Sequence, residues 1–189
     1  MENRNSTAMT LKTREITYIG LFVAVMAICS WISIPMTIPF TMQTFAVFLT
    51  VALLGTKLGT ITLAAYMLLG AVGLPVFSGF KGGLGVLMGP TGGYIIGFIF
   101  SALITGTMIE RLGRGRAMMA AAMLAGLAVC YAFGTVWFLK FYANTKGAVS
   151  VATALGWCVI PYIIPDCVKI LLEVTVAERL RKSMKLQAQ

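Results

Sequence analysis

The sequence predicts an all-α integral membrane protein, a bundle of six transmembrane helices in a single domain spanning residues 1–189. Three observations carry this prediction. The chain is 59% hydrophobic and 11% charged, where soluble domains carry roughly 25% charge, and its mean hydropathy is +0.90. Long stretches hold no charged residue at all: Ile16–Thr56, Leu58–Phe80, Gly82–Ile109, Ala117–Leu139 and Gly147–Pro165. A crossing takes about 20 apolar residues, so these runs accommodate about six. Third, eleven of the fifteen Lys and Arg residues fall at alternate connections. Arg4, Lys12 and Arg14 precede the first span and Lys57 follows the second. Arg111, Arg114 and Arg116 follow the fourth, and Arg179, Arg181, Lys182 and Lys185 follow the last. The positive-inside rule then puts both termini in the cytoplasm.

Taken in order, the spans fall at about 16–33, 40–56, 58–72, 94–109, 117–141 and 162–182. The first begins like a signal peptide, basic and then apolar, but Ile16–Ile34 is too long for an h-region and is expected to stay as a helix. Pro35 and Pro39 interrupt the next stretch, and Thr37, Thr41, Gln43 and Thr44 give it polarity without charge. Loop 34–44 is therefore expected to dip into the membrane as irregular backbone lining a cavity. A tight turn over Gly55–Gly59 joins the second and third spans. Loop 73–93 carries seven glycines between Gly79 and Gly93 and a single charge, Lys81. A short outer helix over 149–158 breaks at Pro161, and the last span starts near Pro165, with Asp166 in its first turn. Asp166 and the two loops then lie near the outer face.

The net charge of +9 does not indicate nucleic-acid binding, because topology already accounts for most of the basic residues. The chain has no histidine, and Cys29, Cys130, Cys158 and Cys167 lack CxxC spacing, so no metal site or cofactor is expected and the thiols read as buried and inert. Neither a Walker pattern nor a dinucleotide fingerprint in strand–helix context is present, and the hydrolase motifs are missing too. The chain is not expected to be an enzyme.

Asp166 is the only aspartate and sits three residues before Lys169 in the apolar run GWCVIPYIIPDCVKILL. That spacing puts both side chains on one helix face. Ionisable groups inside a membrane domain point to function, although the pair also reads as an internal ion pair closing the bundle. Glu173, one turn below, is expected to neutralise Lys169. The Lys81 loop reads equally as a flexible outer loop or as a lid whose glycines let backbone approach a small ligand. Gly20, Ala24 and Ala27 form a small-residue face on the first span, suited to close helix packing either within the chain or with a partner.

Four stretches together resemble the BioY family: PMTIPFTMQT (Pro35–Thr44), GLPVFSGFKGG (Gly73–Gly83), GPTGGY (Gly89–Tyr94) and PYIIPDCVK (Pro161–Lys169). That family comprises biotin-binding substrate (S) components of energy-coupling factor transporters of the bacterial plasma membrane. The resemblance covers roughly Leu11 to Lys182. It implies that biotin, a transported ligand and not a cofactor, is captured from outside by a lipid-embedded subunit. It also implies docking on a transmembrane scaffold (T) component driven by two cytoplasmic ATPases, through a small-residue motif on the first helix. Gly20 and Ala24 are the matching positions, with Gly20 where alanine is more usual. On this basis the ureido N–H groups of biotin are expected on Asp166. Lys169 either donates to the ureido oxygen or holds Asp166, and the valerate meets the Lys81 loop. Trp31, Phe77 and Tyr94 are candidate walls for the ring, with Gln43, Thr44 and Ser78 as further contacts. Two other classes remain open: a stand-alone secondary biotin transporter or facilitator, with Asp166 carrying a coupling proton, and an assembly protein with the Asp–Lys pair as glue.

Overall fold

A computed structural model describes residues 11–145 and 147–184. Of the basic residues counted above, Arg4, Lys146 and Lys185 lie outside them. Helix α1 (Thr13–Trp31) starts where the Glu15 carboxylate accepts from the Lys12 N–H at 2.8 Å. Two-residue strands β1 (Ser33–Ile34) and β2 (Phe40–Thr41) then pair antiparallel, Ser33 opposite Thr41 and Ile34 opposite Phe40. The expected irregular dip at 34–44 is thus a small hairpin, with Pro35 and Pro39 just inside its strands, where no ladder N–H is needed.

Helix α2 (Gln43–Val72) is interrupted at Gly55, whose φ of 79° glycine adopts without a Cβ clash. Its arms, 43–54 and 56–72, fold back on one another. The Gln43 amide donates to the Tyr66 hydroxyl at 2.8 Å, whereas a straight helix would separate these residues by about 35 Å. A Cβ on Gly59 would stand 3.1 Å from the Val51 Cα. The reversal sits at Gly55 itself and not spread over Gly55–Gly59. Glu110 holds it by accepting the Thr56 N–H at 2.9 Å.

The chain continues through α3 (Leu84–Leu87), α4 (Gly92–Leu112), α5 (Arg116–Thr145), α6 (Val151–Cys158) and α7 (Ile160–Met184). Small residues bring α4 and α5 close, with Ser101 donating to Gly126 O at 2.6 Å and Thr105 to Ala122 O at 3.2 Å. Helix α7 begins ahead of Pro165, near which its start was expected. Pro161 takes the first-turn place that suits proline, so Pro165 lies inside the helix and Asp166 beyond its first turn. Five helical segments are long and apolar enough to cross a membrane: Thr13–Trp31, Gln43–Val72, Gly92–Leu112, Arg116–Thr145 and Val151–Arg181.

Loop 73–91 is pinned and not loose. Ser30 and Tyr66 donate to Val76 O at 2.6 and 2.7 Å, and Trp31 donates to Pro75 O at 2.8 Å. Phe77 and Lys81 form a backbone bridge, and Phe77 fills the space that glycine leaves at Gly70. Trp137 of α5 holds the far end through Gly89 O at 2.9 Å.

Candidate functional site

The β-hairpin, the start of α2, loop 73–91 and helices α4 to α7 surround a cavity that opens to solvent. Most of its wall is aromatic or aliphatic, as small-ligand sites generally are. Its polar centre is Asp166. The buried face of α7 runs through Tyr162, Asp166, Lys169, Ile170, Glu173, Val174 and Ala177, a three- and four-residue spacing that keeps one side of the helix inward.

Asp166 and Lys169 are 4% and 5% exposed. Both are held in a closed network. Asp166 Oδ1 accepts from Lys169 Nζ at 2.7 Å and from Thr44 Oγ1 at 3.2 Å, while Oδ2 accepts from the Tyr131 hydroxyl at 2.5 Å. The Lys169 ammonium donates also to Thr44 Oγ1 at 2.9 Å and to Thr41 O at 2.6 Å. It stands 4.1 Å from the centre of the Phe40 ring, a favourable position for a cation. All three of its protons are therefore committed. An oxygen-rich carboxylate with four acceptor positions retains room for a further donor from the cavity, whereas Lys169 has none left to offer. Its place in the structure is to brace α7 against the start of α2 and to fix Asp166.

Of the residues that the sequence singled out, Asp166, Lys169, Lys81, Gln43, Thr44, Ser78, Tyr94 and Phe77 line this one cavity. Trp31 does not. Its ring stacks on Phe80 at 4.9 Å and its N–H is bonded to the loop. Lys81 is exposed at the mouth and has no acidic partner among the described residues. Tyr94 reaches Thr135 with its hydroxyl at 3.2 Å.

Among the wall residues that the sequence reading missed, four are aromatic: Tyr131, Tyr162, Phe40 and Phe98. Tyr162 donates to Ile38 O and so ties α7 to the hairpin. Two expectations need correction. Glu173 does not pair with Lys169: both its oxygens lack a hydrogen-bond partner among the described residues. A lysine side chain in a helix leans toward the N-terminus, and for Lys169 that direction leads to Asp166. The cysteines are not uniformly buried either. Cys130 and Cys158 line the cavity, Cys29 is half-buried, and Cys167 is exposed on the outward side of α7. On α1, Gly20 and Ala24 face outward, and the space beside Gly20 is open to 4 Å.

The family model of the BioY family matches residues 2–186. A biotin transporter BioY of Thermotoga maritima is 42% identical over 170 residues, covering 89% of this chain and 96% of the relative. A probable biotin transporter BioY of Pyrococcus horikoshii is 40% identical, with 90% and 98% covered. Among solved structures, the S-component for biotin from an ECF-type ABC transporter superposes with a TM-score of 0.81 at 27% identity, covering 92% of this chain and 95% of that one. The chain belongs to the BioY family.

Proposed function

We propose that this multi-pass membrane protein captures biotin and serves as the substrate-specific subunit of an ATP-driven vitamin transporter. The observation that carries the proposal is the buried Asp166, oriented by three donors at the cavity's polar centre. Biotin brings a ureido group with two N–H donors and one carbonyl, an apolar thioether ring and an anionic valerate. One ureido N–H matches the remaining acceptor position of Asp166, and a charged acceptor makes such a bond strong. Phe40, Phe77, Tyr94 and Tyr162 give the ring an apolar wall. With Lys169 fully engaged, the cation left for the valerate is Lys81 at the mouth.

The two arms of α2 are short but antiparallel, and counting each as a crossing gives six. That count puts the starts of α1 and α5 and the end of α7 on one side with the basic residues, the cytoplasmic side, and the cavity near the other. The Arg116–Glu178 ion pair, at 2.6 Å, joins the start of α5 to the end of α7 in keeping with this arrangement. The sequence carries no Walker pattern, so in this reading ATP-driven uptake comes through the scaffold component and its ATPases. A coupling proton on Asp166, as in a stand-alone transporter, fits poorly with a carboxylate that three donors already hold. The glue role is partly real: Lys169 braces the bundle while Asp166 is left to read the ligand.

Equilibrium binding of radiolabelled biotin to the purified wild-type chain and to Asp166→Asn tests the proposal. The amide keeps the shape but loses the charge and one acceptor. Expected is a loss of about 1.5–3 kcal/mol, roughly tenfold to over a hundredfold in affinity, with the variant still folded. Wild-type affinity in the variant refutes the ligand role of Asp166.

A further inference from the structure

Glu173 is a buried acid that the ligand cavity does not use. It is 0% exposed, and neither carboxyl oxygen has a hydrogen-bond partner among the described residues. Seven residues separate it from Asp166, which places it on the same face of α7 about 10 Å further along. Lys169 stands between them, one turn away.

Among the described residues, no other charge is seen to face it from α2, α5 and α6, the helices that pack most closely on α7. The hairpin joined to α7 by Tyr162 and Lys169 carries no charge of its own. On α2, Lys57 is exposed beside the Gly55 reversal, and the Tyr66 hydroxyl is bonded to Val76 O. On α5, Arg116 is paired with Glu178 at the end remote from the cavity, and Lys140 is exposed near the other end. Between them, Tyr131 is bonded to Asp166, and the Cys130 thiol contacts Tyr94 O. Helix α6 offers only the Cys158 thiol. Further along α7 the next charges are Glu178, Arg179 and Arg181, more than a turn away toward the C-terminus. Lys169 is the one cation within a turn, and its three protons are on Asp166, Thr44 and Thr41. An ionised Glu173 in this arrangement would be an unpaired charge in hydrocarbon. Proteins avoid that state by keeping the group neutral or by bringing a cation to it.

We infer that Glu173 is a proton-binding site coupled to the ligand cavity through Lys169. While Glu173 carries a proton, the ammonium has no competitor and holds Asp166 and Thr44 in place. When the O–H bond breaks and the proton passes to the aqueous phase, a carboxylate appears four residues from Lys169, a spacing at which such side chains meet. The ammonium is then drawn off Asp166 and Thr44, so that Asp166 loses its cation and α7 keeps only the Thr44–Asp166 bond to the start of α2. The protonated form is thus the ligand-binding form, and by linkage ligand and proton each favour binding of the other. The inference rests on the reading of the cavity as a biotin site.

Calorimetry of biotin binding to the full chain in lipid nanodiscs tests it, run in buffers of different ionisation enthalpy across the neutral and mildly alkaline range. The valerate stays ionised there, as free carboxylates do. Expected is uptake of up to one proton per biotin, with affinity falling by at most about tenfold per pH unit. Glu173→Gln, a mimic of the protonated acid, should bind with no proton uptake, at an affinity that is flat with pH and matches the wild type's at its lowest pH. A wild-type chain that binds biotin without exchanging protons overturns the inference, with no variant needed. Proton uptake that persists in Glu173→Gln also overturns it, since the proton then belongs elsewhere. No biotin binding by the wild type at any pH instead brings down the cavity reading itself.

Discussion

At the scale of single residues, the site turns on how few polar groups can be left unmatched in hydrocarbon. Asp166 is tolerated because Lys169, Thr44 and Tyr131 all donate to it. Tyr131 is the least obvious of the three, because an aromatic residue in an apolar helix gives no sign of which way it faces. Replacing it with phenylalanine keeps the ring and removes the hydroxyl. The expected effect of Tyr131→Phe on biotin affinity is a loss of about 1.5–3 kcal/mol if the bond to the charged group persists with ligand bound. Biotin titrations of the folded variant measure this, and unchanged affinity means that Tyr131 only fills the wall. Lys81 differs in kind, being exposed. Lys81→Met should weaken biotin binding only about two- to fivefold, as exposed ion pairs are weak, and leave biotin amide binding unchanged. Equal losses for both ligands would place the valerate elsewhere.

At the scale of elements, the all-helical, membrane-crossing character of the chain was legible in its charge-free runs, because hydropathy acts locally. The start of the last helix was not, since either Pro161 or Pro165 could open it. The Asp166–Lys169 pairing was legible locally too: a spacing of three on a helix fixes one face. Tyr131 and Trp31 were not legible, because their partners come from distant segments. Trp31 sits on the α1 face that meets loop 73–91, and its ring holds that loop by stacking on Phe80 and bonding Pro75 O. Glu173 has the right spacing to meet Lys169, but the lysine leans the other way. The glycine-rich loop looked free in sequence, yet Ser30, Trp31 and Tyr66 pin it through two adjacent carbonyls, Pro75 O and Val76 O. Removing two pins with Ser30→Ala and Trp31→Phe should cost about 1 kcal/mol for each lost bond. Protease cleavage within loop 73–83 should rise and biotin should restore protection. Cleavage indistinguishable from wild type would show that the Phe77–Lys81 bridge and the Phe77 packing suffice.

At the scale of the whole molecule, the inward and outward faces have different composition for different reasons. The inward faces of α2, α4 and α5 hold the small residues and hydroxyls that let helices approach, and the cavity lies where those contacts give way to the hairpin and loop. Helix α1 is less covered: only 28% of its span is buried, and Gly20 and Ala24 lie on its open side. Packing within the chain therefore does not explain these two small residues, which leaves a face on which another helix can come close. In lipid, such close approach is itself a source of association, since no hydrophobic driving force separates protein from tail. Replacing both with leucine should hold a partner helix off by the width of the added side chains. Because the space beside Gly20 is open, Gly20→Leu with Ala24→Leu should leave the fold and biotin binding by the isolated chain unchanged. Co-purification with the scaffold and ATPases should fail, and ATP-driven uptake in reconstituted vesicles should fail with it. A double variant that still co-purifies and transports would move the docking face off this side of α1. One that no longer binds biotin would show that α1 shapes the cavity through this face, contrary to its exposed position.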